Sequence, residues 1–418
     1  MTQYASESDI LNDASVTPFP GSELVVEVID TMTEFRAVKA AWQALEKRDP
    51  EGTVYLSWEW LMHAFAENPG RWRVLAVRRA DQPNTYVCLY PIKYRTHWSK
   101  SRSELQSELE AGGRLLWSEY TGFLCQPSYE ETAIKLIARH IQSMPWVKLS
   151  LRYEVSENRA RIFAESFPES DFKVSWLNYR INKGETDNLL CPQVKLPKNF
   201  EDYMATSLST NTRQKLRRLS RKHLDTGDVR ITETSQTTFT TNLKILLALW
   251  TQKWASNKGQ NTAGNVASNY AQILAAAESL GLLYMPVLWR GDRPLGALGH
   301  VLDPEMKRVH FIVAGRDETA NAPYVGHLLH AHSIKWAIEN GYETYDFCHG
   351  NEAYKYSFGA EDVRANYFSI RRTTKVEPGT LFDPMSTAEA MKRTLSFIDA
   401  GKPDKARAVC TQILAMLS

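Results

Sequence analysis

The chain has 418 residues, of which 43% are hydrophobic, 11% aromatic and 23% charged. That composition is ordinary for a globular protein and argues against disorder away from the ends, because enough apolar side chain is present to offset chain entropy. Fifty Lys and Arg against 48 Asp and Glu leave +2, so no global charge recruits nucleic acid or an anionic membrane, and at about 100–200 residues per domain the length implies two or three domains. Residues 1–22 read as a flexible leader ending at Pro18, Pro20 and Gly21. Leu24–Ile29 (LVVEVI) predicts a first strand. Apolar spacing predicts a helix over Phe35–Leu45, and Ser57 is placed to cap another at Trp58–Ala66. Strands follow at Trp72–Arg78 and Tyr86–Ile92, joined by a turn at Asp81–Asn84. The polar stretch Thr96–Gly113 reads as an exposed excursion. A strand at Arg114–Trp117, a helix at Glu130–Met144 and a strand at Trp146–Leu151 come next.

The second half repeats this order. A strand is predicted at Val229–Thr234, then helices at Phe239–Trp254 and Val266–Leu280. Strands at Leu282–Trp289, Leu295–Leu302 and Arg308–Ala314 precede a helix at Gly326–Asn340 and a strand at Glu343–Phe347. WEWLMHAFAENPGRWRVLAVRRADQPNTYVCLYPI, from Trp58, and SNYAQILAAAESLGLLYMPVLWRGDRPLGALGHVL, from Ser268, share helix, break, strand, turn and strand, 210 positions apart. Tryptophans recur in the preceding helices, at Trp42 and at Trp250 and Trp254. The expected organisation is a duplicated α/β domain with halves at 23–188 and 189–375. Residues 376–418 read as two short amphipathic helices, Ala388–Asp399 and Asp404–Leu417, broken at Gly401–Pro403. They are expected to cap the second domain, with docking of a protein partner as the alternative.

Cys88, Cys125, Cys191, Cys348 and Cys410 form no close pair, which suits a reducing compartment rather than a disulfide scaffold or zinc knuckle. The polar, acidic start carries no basic end or apolar run, so no secretory signal is expected. No stretch approaches the roughly 18 apolar residues of a membrane helix. A cytoplasmic location is the expectation.

The most informative stretch runs from Val309 to Gly359: a strand, a loop, a helix start at Pro323–Gly326, a long helix, a second strand and a polar-aromatic loop. Free backbone N–H groups at such a helix start attract phosphate or carboxylate. This arrangement resembles the acyl-CoA-binding core of the GNAT acyltransferase superfamily. More narrowly, DFCHGNEAYKYSFG (Asp346–Gly359) is similar to the DFxxGxExYKxxFG signature of CelD-like acetyltransferases, named for cellulose biosynthesis. TNTRQKLRRLSRKHLDTGDVRI (Thr210–Ile231) resembles that family's helix leading into its second half. The same tandem plan is shared with Fem-type peptidyltransferases, which use aminoacyl-tRNA in place of acyl-CoA.

The resemblance implies an α/β fold of two tandem GNAT-like domains, with mixed sheets flanked by helices and a C-terminal helical extension. It implies transfer from acetyl-CoA or another acyl-CoA to an amine, less often a hydroxyl, of a small-molecule or saccharide acceptor tied to envelope or exopolysaccharide synthesis. No metal is implied, and no DNA. By the same resemblance Phe311, Val313 and Ala314 would run alongside the pantetheine, and the amides of Tyr324, Val325, Gly326, His327 and Leu328 would cradle the pyrophosphate. The usual Arg/Gln-x-x-Gly-x-Gly/Ala loop is reduced here to the single Gly326, with Asn321 at its start. Tyr354 and Tyr356 are placed to protonate the leaving thiolate. Asp346 and Glu352 are the base candidates, together with His349, which titrates near neutral pH without large tuning. Lys355 is placed to hold phosphate or an acidic acceptor.

Plainer roles stay open beside these. Asp346 could cap or pair with Lys355, and the aromatics of YKYSF could be core of a terminal hairpin. Cys348 reads more simply as a buried strand cysteine than as a nucleophile. His330 and His332 point to different sides of a helix, so with His327 they make no metal set. Arg213–His223 holds six Lys and Arg in eleven residues. It reads as a solvated amphipathic helix with Leu216 and Leu219 facing the core; the alternative is a docking strip for an anionic acceptor, the adenosine 3′-phosphate or tRNA. Two further functional readings follow, a Fem-type transferase fed by charged tRNA and a non-catalytic scaffold of a polysaccharide system.

Overall fold

The computed structural model describes residues 16–18, 23–258 and 260–417, with side chains over 23–255 and 261–417. Two mixed sheets organise them. The first is built from Leu24–Ile29 (β1), Trp72–Arg79 (β2), Tyr86–Ser99 (β3), Glu104–Ala111 (β4), Lys148–Glu154 (β5) and Phe172–Trp176 (β6). The second is built from Leu190–Lys195 (β7), Arg230–Glu233 (β8), Pro286–Arg290 (β9), Arg293–Asp303 (β10), Arg308–Arg316 (β11), Thr344–Asp346 (β12) and Glu361–Arg364 (β13). A last strand, Asn366–Arg372 (β14), returns to the first sheet. The spatial orders are β1-β2-β3-β4-β5-β14-β6 and β8-β9-β10-β11-β12-β7-β13.

The main helices are Trp58–Ala66 (α1), Glu130–Ser143 (α2), Thr210–Leu219 (α3), Phe239–Lys258 (α4), Gln260–Ser279 (α5), Val325–Glu339 (α6), Thr387–Asp399 (α7) and Pro403–Leu417 (α8). Helix α1 leads into the antiparallel pair β2–β3, and α5 leads into β9–β10. Each sheet then carries a parallel junction, β4 with β5 and β11 with β12. The internal repeat in the sequence is therefore a repeat of structure. One strand of the second half also crosses to the first sheet. After β6 the chain places β7 between β12 and β13, and after β13 it places β14 between β5 and β6.

Local chemistry explains the element ends. Ser57 Oγ accepts from the Trp60 amide and starts α1 as expected. Thr31 and Glu34 form a reciprocal capping box, so a helix begins at Met32. The helix expected over Phe35–Leu45 is broken at Val38 into Met32–Ala37 and Lys39–Glu46. The break brings Phe35 and Trp42 edge to face, with ring centroids 5.3 Å apart.

Four further expectations are corrected. Within the leader, Val16–Pro18 is a strand paired with β1; residues 1–15 and 19–22 lie outside the described residues. Thr96–Gly113 is no exposed excursion but the β3–β4 hairpin, and Leu105, Gln106 and Ser107 are buried. Its polar groups are paired: Arg102 with Glu104 at 2.8 Å, and Gln412 of α8 with both backbone groups of Leu105. Arg114–Trp117 forms no strand. Gly112–Leu116 is a tight 3₁₀ turn, with Gly112 against Pro91, and Trp117 is left-handed at φ 57°. Finally, α7 and α8 pack on β3 and β4 of the first half, not on the second domain, through Leu105, Phe397, Val409 and Ile413. No described helix is long and apolar enough to cross a membrane.

Candidate active site

β11 and β12 pair in parallel over only three positions, ending at His310 opposite Asp346. Beyond that point β11 continues through Phe311–Arg316, held by β10 on its other edge. Among the described residues no strand covers its open edge, so alternate backbone N–H and C=O groups there face a gap. On this stretch Phe311 and Val313 are buried and Ala314 is half-buried. On the other side, the chain after Asp346 turns toward β7 through Phe347 N–H to the Pro192 carbonyl and Gly350 N–H to the Leu190 carbonyl.

The parting point is pinned by buried charge. Asp346 is fully enclosed. Its Oδ2 accepts from Tyr120 Oη at 2.7 Å and Gln193 Nε2 at 3.1 Å, and faces His310 Nδ1 at 3.2 Å; its Oδ1 accepts from the Cys348 amide at 2.7 Å. Burial works to raise the Asp346 carboxyl, but His310, Tyr120 and the Cys348 amide outweigh it and hold it below its ordinary range. Burial pulls His310 down, while Asp303 and Asp346 push it above its ordinary value. His310 thus stands between two buried carboxylates, Asp346 at 3.2 Å from Nδ1 and Asp303 at 3.9 Å from Nε2. Asp346, predicted as a base, has no oxygen open to a substrate and acts as the pin that holds the two strands at their fork. His310, Asp346 and Cys348 bring ligand-type atoms within 4.8 Å of one another, with the histidine and carboxylate already bonded together.

His349 is buried too. Its Nε2 lies 2.6 Å from the Glu119 carbonyl and must carry the proton; Nδ1 then accepts from the Cys191 thiol at 3.3 Å. Burial lowers His349 to about 3 and raises Cys191, consistent with a neutral ring and a protonated thiol. Both ring nitrogens are engaged, so His349 offers no lone pair. Lys355 is 2% exposed and donates to the carbonyls of His349 and Gly350 at 2.7 and 2.8 Å, with Glu352 at 3.0 Å. It braces the loop and does not reach a phosphate. Glu352 lies over Gly350, whose φ of 97° and 2.7 Å clearance to the carboxylate admit no side chain.

The two tyrosines separate. Tyr356 donates to Asp362 at 2.7 Å, whereas the Tyr354 hydroxyl has no partner among the described residues, and its ring is 41% exposed. Tyr354 stands at the fork against His330 and Phe347, with ring centroids 5.7 and 6.2 Å away. His330 ends a buried chain. His300 Nδ1 donates to the Tyr284 carbonyl at 3.0 Å, so its Nε2 accepts from Tyr345 Oη at 2.8 Å. The Tyr345 oxygen therefore accepts from His330 Nδ1–H at 2.9 Å. Burial lowers both histidines, His300 to about 3, in keeping with neutral rings. His330 Nε2 is left as a lone pair without a protein partner, beside Phe311, Phe347 and Tyr354.

At the start of α6 the amides of Val325 and Leu328 are bonded to the carbonyls of Ala322 and Tyr324, while those of Gly326 and His327 have no backbone partner among the described residues. A Cβ at Gly326 would meet nothing within 4 Å. Tyr324 stacks on His223 at 3.9 Å, its hydroxyl held by Arg290. His327 Nε2 lies 2.8 Å from Lys215 of α3. That helix buries Leu216 and half-buries Leu219, as its spacing predicts. Its open face borders a groove of about 860 Å³ with Lys215, Arg217, Arg218 and Arg221. The residues that sequence reasoning missed are His310, Tyr120, Glu119 and the His300–Tyr345 pair. Tyr120 and Glu119 arrive from the first half, and only the contact between halves identifies them.

Residues 210–356 match the family described as acetyltransferase (GNAT) domain. The fold over that stretch is of the GNAT type. The solved structure of FemX is similar over 82% of this chain and 96% of its own, at 12% identity and a TM-score of 0.56. L-PGS from Bacillus licheniformis covers 83% of this chain and 94% of its own at 10% identity and a TM-score of 0.44. A tandem GNAT protein from the clavulanic acid biosynthesis pathway covers 84% and 100% at 8% identity and a TM-score of 0.44. No curated protein sequence matches. The GNAT domain thus contains the fork, the α6 start and the Tyr354 loop in one continuous match.

Proposed function

We propose that the protein transfers an acyl group, in the first instance acetyl, from acyl-CoA to an amine or hydroxyl of a small acceptor. The observation that carries this reading is the fork: β11 leaves its partner at His310 and presents an unpaired edge to the start of α6. An extended pantetheine arm can hydrogen-bond to such an edge as an added strand would. The open amides of Gly326 and His327 receive the pyrophosphate, and Lys215 and its neighbours on α3 receive the remaining phosphate. The acceptor nitrogen or oxygen forms its bond to the thioester carbonyl carbon, and the carbon–sulfur bond breaks. The acceptor's proton goes to His330 Nε2, directly or through water, and the thiolate takes the Tyr354 hydroxyl proton. Burial lowers His330, and its Nδ1–H is held on Tyr345 Oη, so Nε2 is the nitrogen that accepts. Kinship with CelD-like acetyltransferases, and with it an exopolysaccharide or envelope acceptor in the cytoplasm, rests on DFCHGNEAYKYSFG.

Isothermal titration with acetyl-CoA and with desulfo-CoA tests the donor. Saturable binding of both is expected, and no binding at millimolar donor overturns the reading. Tyr354→Phe should lower kcat about 100-fold with donor affinity unchanged, the size of one general acid. An unaltered kcat removes Tyr354 from the chemistry. A second reading, a donor delivered as charged tRNA, is favoured by the basic open face of α3. It predicts salt-sensitive tRNA retardation that weakens when Arg217, Arg218 and Arg221 are neutralised; indifference to those changes rejects it.

A further inference from the structure

Between the halves, on the first-half side of the His349 loop, lies a second cavity of about 840 Å³. That is the size of a small-molecule site. Its floor is β3, β4 and the turn after β4, and its far wall is α5, which contributes Gln272, Ala276 and Ser279. Ser279 also bonds His63 across the junction at 3.3 Å. Its charge is unbalanced, since Arg71, Lys93, Arg95, Arg114 and Arg152 face only Glu67 and Glu110. Glu110 is already shared by Lys93 at 2.8 Å and Arg95 at 2.7 Å.

Arg71 is paired with Glu389 of α7 at 3.9 Å, which leaves two guanidinium groups without an ion-pair partner among the described residues. Arg114 gives one hydrogen bond, to the Ser118 carbonyl at 2.7 Å. Arg152 makes no side-chain hydrogen bond and rests on the rings of Tyr153, Tyr179 and Tyr367, 4.6–5.7 Å from their centroids. Both lie over Tyr153, at 5.3 and 5.2 Å. Arg71 Nε is buried without a hydrogen bond. Burial, and then the neighbouring Arg152, lower the Arg114 pKa, and burial lowers that of Lys93, so the cavity concentrates like charge at a cost to the empty protein. Stability forgone in this way is what a preformed anion site requires. Planar guanidinium forks match phosphate and carboxylate oxygens. Trp117, held in the left-handed conformation, offers a ring face beside them. Tyr153 links this cavity to the loop that carries Tyr354, because its ring stacks on His349 of that loop at 3.6 Å.

We propose that this cavity is the acceptor site and that it takes a small molecule bearing a phosphate or carboxylate group, held by Arg114 and Arg152. The role as acceptor site rests on the acyltransferase reading; the anion site itself does not.

The full chain is titrated with glucose 6-phosphate, glucuronate and glucose at constant ionic strength, by calorimetry and by thermal melting. Saturable binding of at least one anion and none of glucose is expected. Binding by the phosphate alone or the carboxylate alone names which oxygen group the site takes. Arg152→Met keeps the packing on the tyrosines, so it should weaken that binding at least tenfold. Its ligand-free Tm should equal or exceed the parent's, because a like charge beside Arg114 is gone; a merely structural arginine would lower it. No saturable binding of either anion, or binding unchanged in both Arg152→Met and Arg114→Gln, overturns the proposal. Acetyl-CoA titrated in parallel separates the two readings. Donor binding without anion binding ends this proposal alone, and anion binding without donor binding leaves the site and removes its role as acceptor site.

Discussion

Glu154 shows how a single buried acid sets a pH window for this fold. It is 1% exposed and accepts from Thr121 Oγ1 at 3.1 Å and Tyr90 Oη at 3.5 Å. Burial raises its carboxyl from 4.5 to about 7, against the smaller lowering effect of those two donors. The folded protein therefore keeps a proton that the unfolded chain releases near 4.5. Stability falls as pH rises from that value to about 7, by about 3 kcal/mol at most for this group. Glu119, raised to about 7 by burial, adds to the same window with the same sign. Glu154→Gln keeps the acceptor and cannot ionise. It should melt above the parent at pH 8 and with it at pH 4.5; an equal difference at both values would show that ionisation is not the cause.

At the scale of elements, β11 is the member on which the site depends, and its surroundings leave it no room to move. A Cβ at Gly315 would stand 2.5 Å from the Leu246 carbonyl oxygen and 2.9 Å from Leu249 Cβ, both on α4. Gly315→Ala should cost about 1–3 kcal/mol in urea unfolding, as overpacking does, and should weaken acetyl-CoA binding by shifting the open edge. Gly326→Ala is the contrast, since its Cβ meets nothing. It should preserve or raise stability by about 1 kcal/mol while still weakening the donor, because it fills the space before the α6 amides. Equal stability loss in both variants would refute this account. Most such elements were legible in the sequence, because their apolar periodicity is local: α1, β2, α6 and β11 start within a residue of where spacing and caps put them, whereas α5 starts six residues early, at Gln260. β4 was not, because ELQSELEA looks solvated until α8 is laid over it. The site divided in the same way. Tyr354 and the α6 start lie in one segment, which is why the sequence alone could put them forward as candidates. The His349 and Lys355 assignments failed because their partners, the Glu119 carbonyl and the loop's own carbonyls, are set by tertiary contact.

The molecule as a whole is tied together more tightly than a tandem repeat needs to be. β14 supplies the first sheet with Phe368 and Ile370, both fully buried, although it is made after the second sheet is complete. β7 occupies the corresponding place beside β12. One apolar core runs across the junction, joining Phe35, Trp60 and Leu89 of the first half to Leu246, Leu274 and Val287 of the second. Tyr120 and Val54 add buried bonds across it, to Asp346 at 2.7 Å and to Asp303 at 2.8 Å. Chains of this size with two domains usually unfold in steps. Here the halves cannot part without stripping β14 from the first sheet and opening a shared core, so both should unfold in one transition. Near-UV and far-UV circular dichroism should give superimposable urea curves with a single midpoint. The link between β6 and β7 offers a sharper version of the same experiment. A protease site placed at Lys183–Gly184, an exposed turn, should allow cleavage while the two pieces stay associated through gel filtration. Two separated midpoints, or release of a folded half after cleavage, would show that β14 does not couple the sheets.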